Sequence, residues 1–211
     1  MYCKTFMICT VLCVYIAIQI TVFFSDSSAQ ISPDKSLSDK TNNELEQNAS
    51  NITTSSTLKY VNRMYGISIS YPSSWTFSTA GLPQYSQVVA FYSPLRNLSD
   101  SIPARLSLSI MRYQQNISLD GFTNLTLSSL NGSQQFKNTS SGPVLVSGKP
   151  GYQVTLLVTP SMQNPIPFGL MQTWTAIGNK VYFLSYSTET SKFTTYLPTI
   201  DNMVKSLQIM K

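Results

Sequence analysis

Gly66–Trp75, GISISYPSSW, is the stretch on which the fold turns. Ile67, Ile69 and Tyr71 alternate with Ser68 and Ser70, the two-residue period of a strand with one buried face. Pro72 has no N–H to give to a ladder, so the strand ends there. Trp75 follows as a large anchor, suited to the edge of a core. Everything upstream is polar tether or apolar leader, and the strands and helices that pack on this one lie downstream.

Working back toward Met1, residues Phe6–Phe24 (FMICTVLCVYIAIQITVFF) form an almost unbroken apolar run behind Lys4. Ser27 and Ala29 then stand at the −3 and −1 positions of a cut before Gln30, the pattern of an export signal. The run is also long enough to span a bilayer. Residues 1–29 therefore read as a cleaved signal peptide or a retained N-terminal membrane anchor, and either places the rest outside the cytoplasm. No cysteine follows the run closely enough for lipid attachment. Residues 30–57 mix Ser, Asn, Asp, Lys and Thr without one aromatic, too little apolar surface to offset ordering entropy. They read as a disordered polar linker to a domain over residues 58–211.

Within that domain Val88–Tyr92 is apolar on both faces, as a central strand would be. Ala104, Leu106, Leu108 and Ile110 alternate with Arg105, Ser107 and Ser109, which predicts a half-buried strand. Tyr152, Val154, Leu156 and Val158 repeat the pattern after a turn at Gly148–Gly151 (GKPG). Met171–Ile177 and Lys180–Thr188 flank Gly178-Asn179, a two-residue hairpin turn. About seven strands result, mostly antiparallel. Two helices interrupt them. Ser118 is a candidate N-cap, after which Leu119, Phe122, Thr126 and Leu130 share one face. Phe193, Tyr196, Leu197, Ile200, Met203, Val204 and Leu207 form a second apolar stripe, with Pro198 opening the helix or kinking it after its first turn. Strands with helices inserted and appended, not alternating, make the class α+β.

Composition narrows the chemistry. Charged residues are 11% of the chain, and serine, threonine and asparagine supply the polarity instead. The net charge of +5 is spread along the sequence without a basic run, which argues against nucleic acid as a partner. There is no histidine, and Cys3, Cys9 and Cys13 all sit in the apolar leader, so the domain lacks the usual transition-metal ligands and any disulfide. No GxSxG, HExxH, phosphate-cradling glycine loop or paired carboxylates occur, and no catalytic residue is assigned. Asn-x-Ser/Thr recurs at Asn48, Asn51, Asn97, Asn116, Asn124, Asn131 and Asn138, which makes these asparagines glycosylation candidates in an exported chain. Asn124 and Asn131 are expected opposite the apolar face of the first helix. The loop Pro160–Gly169 (PSMQNPIPFG) sets three prolines beside Met162, Ile166 and Phe168. It is either an apolar contact loop for a partner, with those three residues as the contacts, or a flap over the sheet edge.

The order of these segments resembles the PsbP-like family, named for the extrinsic subunit of the photosystem II oxygen-evolving complex. The resemblance rests on GISISYPSSW at 66–75, VAFYSP at 89–94, ARLSLSI at 104–110, VYFLSYS at 181–187 and YLP…MVKSLQI at 196–209. It implies an antiparallel sheet flanked by helices in an αβα sandwich, an export-dependent location and a non-catalytic role. Calcium enters only through this resemblance, because the best-known member helps retain calcium and chloride at the manganese cluster. This chain has no histidine to match metal-contacting positions attributed to photosynthetic members, so no metal residue and no photosystem partner carry over. The expectation is a non-catalytic extracytoplasmic domain that binds or stabilises a cell-envelope protein or complex. A solute-binding module with a pocket between sheet and C-terminal helix, and an enzyme acting on surface glycans or lipids, are the alternatives.

Overall fold

The computed structural model describes residues 56–80, 86–95, 102–160 and 165–210. Seven strands form the main antiparallel sheet in the order β3-β4-β5-β9-β8-β7-β6: β3 (Thr76–Ser78), β4 (Gln87–Tyr92), β5 (Arg105–Arg112), β6 (Phe136–Val146), β7 (Lys149–Val158), β8 (Phe168–Ile177) and β9 (Lys180–Glu189). A smaller sheet has the order β1-β2-β10, from β1 (Thr57–Asn62), β2 (Ile67–Pro72) and β10 (Gln208–Ile209). Helix α1 (Leu119–Asn131) lies between β5 and β6, and α2 (Thr190–Ser206) follows β9. The α+β class and the flanked antiparallel sheet are as the sequence predicts.

The opening stretch behaves as its alternation dictates. Ile67, Ile69 and Tyr71 are buried, and Trp75 N–H closes the turn on the Pro72 carbonyl at 2.9 Å. β2 is nevertheless the middle strand of the small sheet, not part of the main one. There it bridges the main sheet and α2: Tyr71 and Phe91 rings lie 5.0 Å apart, and Ser70 N–H donates to Ser206 Oγ at 2.9 Å.

Two cores result, one on each face of the main sheet. On the first, α2 and the small sheet cover Phe91, Leu106, Leu108, Leu184 and Tyr186. Phe193, Tyr196, Ile200, Met203 and Val204 of α2 are buried there, with Leu207 just beyond. On the second, α1 lays Phe122 and Leu130 over Val154, Leu156, Leu170, Trp174 and Phe183. Trp174 stacks on Phe183 at 5.7 Å and donates from its indole nitrogen to Thr123 Oγ1 on α1 at 2.9 Å. Ser118 caps α1, its hydroxyl accepting from Gly121 N–H at 3.0 Å.

Three expectations change, and one strand lies where the sequence analysis places no element. β5 is buried on both faces, Arg105, Ser107 and Ser109 included, because both faces of the sheet are covered. The β6–β7 turn is Ser147-Gly148, each at positive φ, and Lys149 and Pro150 already belong to β7. β6 carries FKNTSSGPVLV, with no apolar alternation over its first half, and is a strand through its full ladder to β7. Helix α2 starts at Thr190, which leaves Pro198 inside it. Both Pro198 and Thr194, whose carbonyl loses its helical donor, are exposed, which leaves that carbonyl open to solvent.

Candidate functional site

Of the expected site residues, Asn48, Asn51, Asn97 and Met162 lie outside the described residues. Asn116 precedes α1, Asn124 and Asn131 lie on α1, Asn138 lies on β6, and all four are exposed. The apolar loop corrects one expectation. Phe168 opens β8 paired with Val158 and Glu189, is 4% exposed and belongs to the second core, so it is not a partner contact. Ile166 is half-buried against the same core.

The sheet–α2 interface is filled. A Cβ on Gly169 would stand 2.3 Å from Phe193 Cδ2, so the ring of Phe193 rests directly on the β8 backbone. Phe193 also stacks on Tyr186 at 4.9 Å, and the Tyr186 hydroxyl donates to the Phe193 carbonyl at 2.8 Å. Burial first, and Tyr196 second, push the Tyr186 phenol far above its ordinary value. A solute pocket between sheet and C-terminal helix does not fit this packing.

The opposite face carries a polar row that the sequence analysis did not single out. Gln172, Ser185 and Ser107 are successive cross-strand neighbours on β8, β9 and β5, and all are buried. Arg105 and Ser187 form the adjacent pair. Arg105 donates from Nη2 to Gln87 Oε1 and lies 6.0 Å from the Tyr92 ring centre. Gln172 is fully buried, and neither atom of its amide has a hydrogen-bond partner among the described residues.

A second feature lies at one end of the molecule. Met64 is 84% exposed in the β1–β2 turn, Leu145 71% exposed near the β6–β7 tip, and Met210 43% exposed after β10. Hydrogen bonds join their segments: Met210 N–H donates to the Gly66 carbonyl at 2.7 Å, and Ile209 N–H to the side-chain Oγ of Ser147 at 3.0 Å. The other exposed large apolar side chains, at Leu58, Val61, Phe77, Leu95 and Leu157, are all less exposed than Met64 and Leu145. Arg63 and Lys149 flank the patch and are exposed. The register puts the β8–β9 turn and the last residue of β5 at this same end of the sheet, where Arg112 and Lys180 stand directly opposite each other. Like charges paired across strands are unfavourable. Arg112 also counteracts the upward push that burial exerts on the Tyr182 phenol. The carboxylates Asp120, Glu189 and Asp201 all lie outside segments 61–66, 144–149 and 207–210.

Among the described residues no group of three or more His, Cys, Asp or Glu could hold a metal ion. Among the same residues no helix is long and apolar enough to cross a membrane.

No protein-family model matches the chain, and no curated protein matches its sequence. Solved structures do match its shape. The solution structure of PsbP (CyanoP) from the cyanobacterium Synechocystis aligns with a TM-score of 0.54 at 15% identity, over 77% of this chain and 98% of that one. LpqN of Mycobacterium tuberculosis, described as involved in cell envelope biogenesis, aligns with a TM-score of 0.51 at 12% identity, over 76% and 88%. The Saccharomyces cerevisiae Ran-binding protein Mog1p aligns with a TM-score of 0.51 at 8% identity, over 75% and 97%. Identities this low speak for architecture alone, and on architecture the sheet, the two helices and their order make this a PsbP-like fold.

Proposed function

We propose that this is a non-catalytic extracytoplasmic domain that binds or stabilises a component of the cell envelope by surface contact. The observation that carries the reading is the end formed by Met64, Leu145 and Met210. Met64 and Leu145 are the most exposed large apolar side chains among the described residues, and their segments are tied to the strand that ends beside Met210 by hydrogen bonds. Exposed apolar side chains gathered on a rigid frame mark interaction sites. The apolar run Phe6–Phe24 supports placement outside the cytoplasm, near the membrane. Two structures sharing the fold are described as acting in envelope biogenesis and in binding Ran, and binding suits both descriptions.

Affinity capture of the tagged full chain from native membranes, compared with a Met64→Glu/Leu145→Glu variant, tests this. The parent is expected to retain envelope material that the variant loses. Equal recovery by both would remove this end from the account.

One observation favours a second reading, a small-ligand module. Gln172 is buried with its amide carbonyl and amide N–H groups unmatched, in a row with Ser185 and Ser107. A polar solute under α1 would satisfy it. Thermal shift against a panel of small polar solutes, with Gln172→Leu as control, separates the two: ligand stabilisation that the substitution abolishes would favour the module.

A further inference from the structure

We propose that the end carrying Met64, Leu145 and Met210 docks on an anionic lipid bilayer surface. The inference rests on the envelope reading above and names what that end meets. Two observations select lipid over a protein groove or a second copy.

The first is shape. Met64 lies in the β1–β2 turn at 84% exposure, and Leu145 lies on β6, two residues before the Ser147-Gly148 turn, at 71%. Leu145 alternates with Val144 and Val146, which pack toward α2 and the small sheet, so the two apolar side chains flank this end from opposite sides of the main sheet. Side chains standing at or beside chain reversals suit insertion among headgroups, where no complementary pocket is required. The second is charge. Arg63 adjoins Met64, Lys149 closes the hairpin turn near Leu145, and Arg112 faces Lys180 at the same end of the sheet. Of the three described carboxylates, Asp120 stands at this end, in the first turn of α1 just after Ile117 bonds the β8–β9 turn, whereas Glu189 lies at the far end of β9 and Asp201 within α2, so four cations face one carboxylate. Apolar tips ringed by cations complement a negative surface, where each cation contributes roughly 1 kcal/mol, or about a fivefold change in binding. The Arg112–Lys180 opposition, unfavourable within the fold, is relieved when an anionic surface supplies the counter-charge.

Tryptophan fluorescence reads the orientation, because Trp75 and Trp174 are 6% and 0% exposed and are shielded from a quencher in the lipid, so their emission is a constant that the parent chain supplies for subtraction. The full chain with Leu145→Trp is reconstituted into phosphatidylcholine vesicles with brominated acyl chains, with and without phosphatidylglycerol. Met64→Trp serves as a second reporter and Asn124→Trp, on α1, as the outward control. Lipid docking is expected to quench the reporters at 145 and 64 in anionic vesicles, to quench them far less in neutral ones, and to leave the reporter at 124 unquenched. Arg63→Glu with Lys149→Glu is expected to reduce that quenching by about tenfold or more in apparent affinity. Equal quenching at 145 and 124, or none at 145 and 64, would overturn the proposal. So would a blue shift at 145 that grows with protein concentration without vesicles, which would assign the end to a second copy. If affinity capture retains a protein through this end while the reporters stay unquenched, the lipid assignment fails and the envelope reading stands.

Discussion

Gly169 shows how little room single residues have here. With Phe193 Cδ2 only 2.3 Å from where a Cβ would be, Gly169→Ala is expected to lower stability by about 1–3 kcal/mol in urea unfolding, through displacement of the ring. Tyr186, beneath that ring, sets a pH limit. Its phenol is raised in the folded state by burial, while in the unfolded chain it ionises near 10.0. The stability it contributes is therefore complete below about pH 10 and is lost as pH rises beyond it, because the unfolded chain releases the proton first. Urea midpoints are expected to fall steeply above that pH, and less steeply in Tyr186→Phe. Gln172 is the converse case. With its buried amide unmatched, Gln172→Leu is expected to leave the isolated domain at least as stable, with a gain of about 1 kcal/mol. Neither Gly169 nor Gln172 was legible in the sequence, since a glycine in a strand and a glutamine among hydrophobics say nothing about what lies above them.

At the scale of elements, α2 is the brace of the first core. Its buried side chains each contribute roughly 1.5–3 kcal/mol, against a net stability of about 5–15 kcal/mol for a typical domain. Ile200, at 0% exposure, replaced by Asp is expected to cost more than about 4 kcal/mol, whereas exposed Lys205→Gln is expected to stay within about 0.5 kcal/mol. Thermal or urea unfolding of the two variants beside the parent checks both. The apolar stripe of α2 was readable because its period survives Pro198, and α1 because Ser118 marks its start. β6 was not, because an edge strand takes its ladder from one neighbour and needs no apolar face. Pro143 and Lys137 on that edge also blunt it against pairing with other chains. The burial of Arg105, Ser107 and Ser109 was hidden too, since alternation along β5 reports one face and not what covers the other.

On the scale of the whole molecule, the PsbP-like architecture follows from strand alternation and two amphipathic helices, whereas the candidate site does not. The segments that carry Met64, Leu145 and Met210 are far apart in sequence and are brought to one end only because β10 closes on β2 and on Ser147. A lone methionine in a turn carries no periodicity, so no pattern in the chain announces that end. The most direct measurement is photocrosslinking in intact cells, with benzoylphenylalanine at position 145 and, separately, at position 124, followed by fractionation. Adducts with envelope components are expected from position 145 and not from position 124. Adducts confined to cytosolic components, or arising equally from both positions, would contradict an extracytoplasmic domain that engages the envelope through this end.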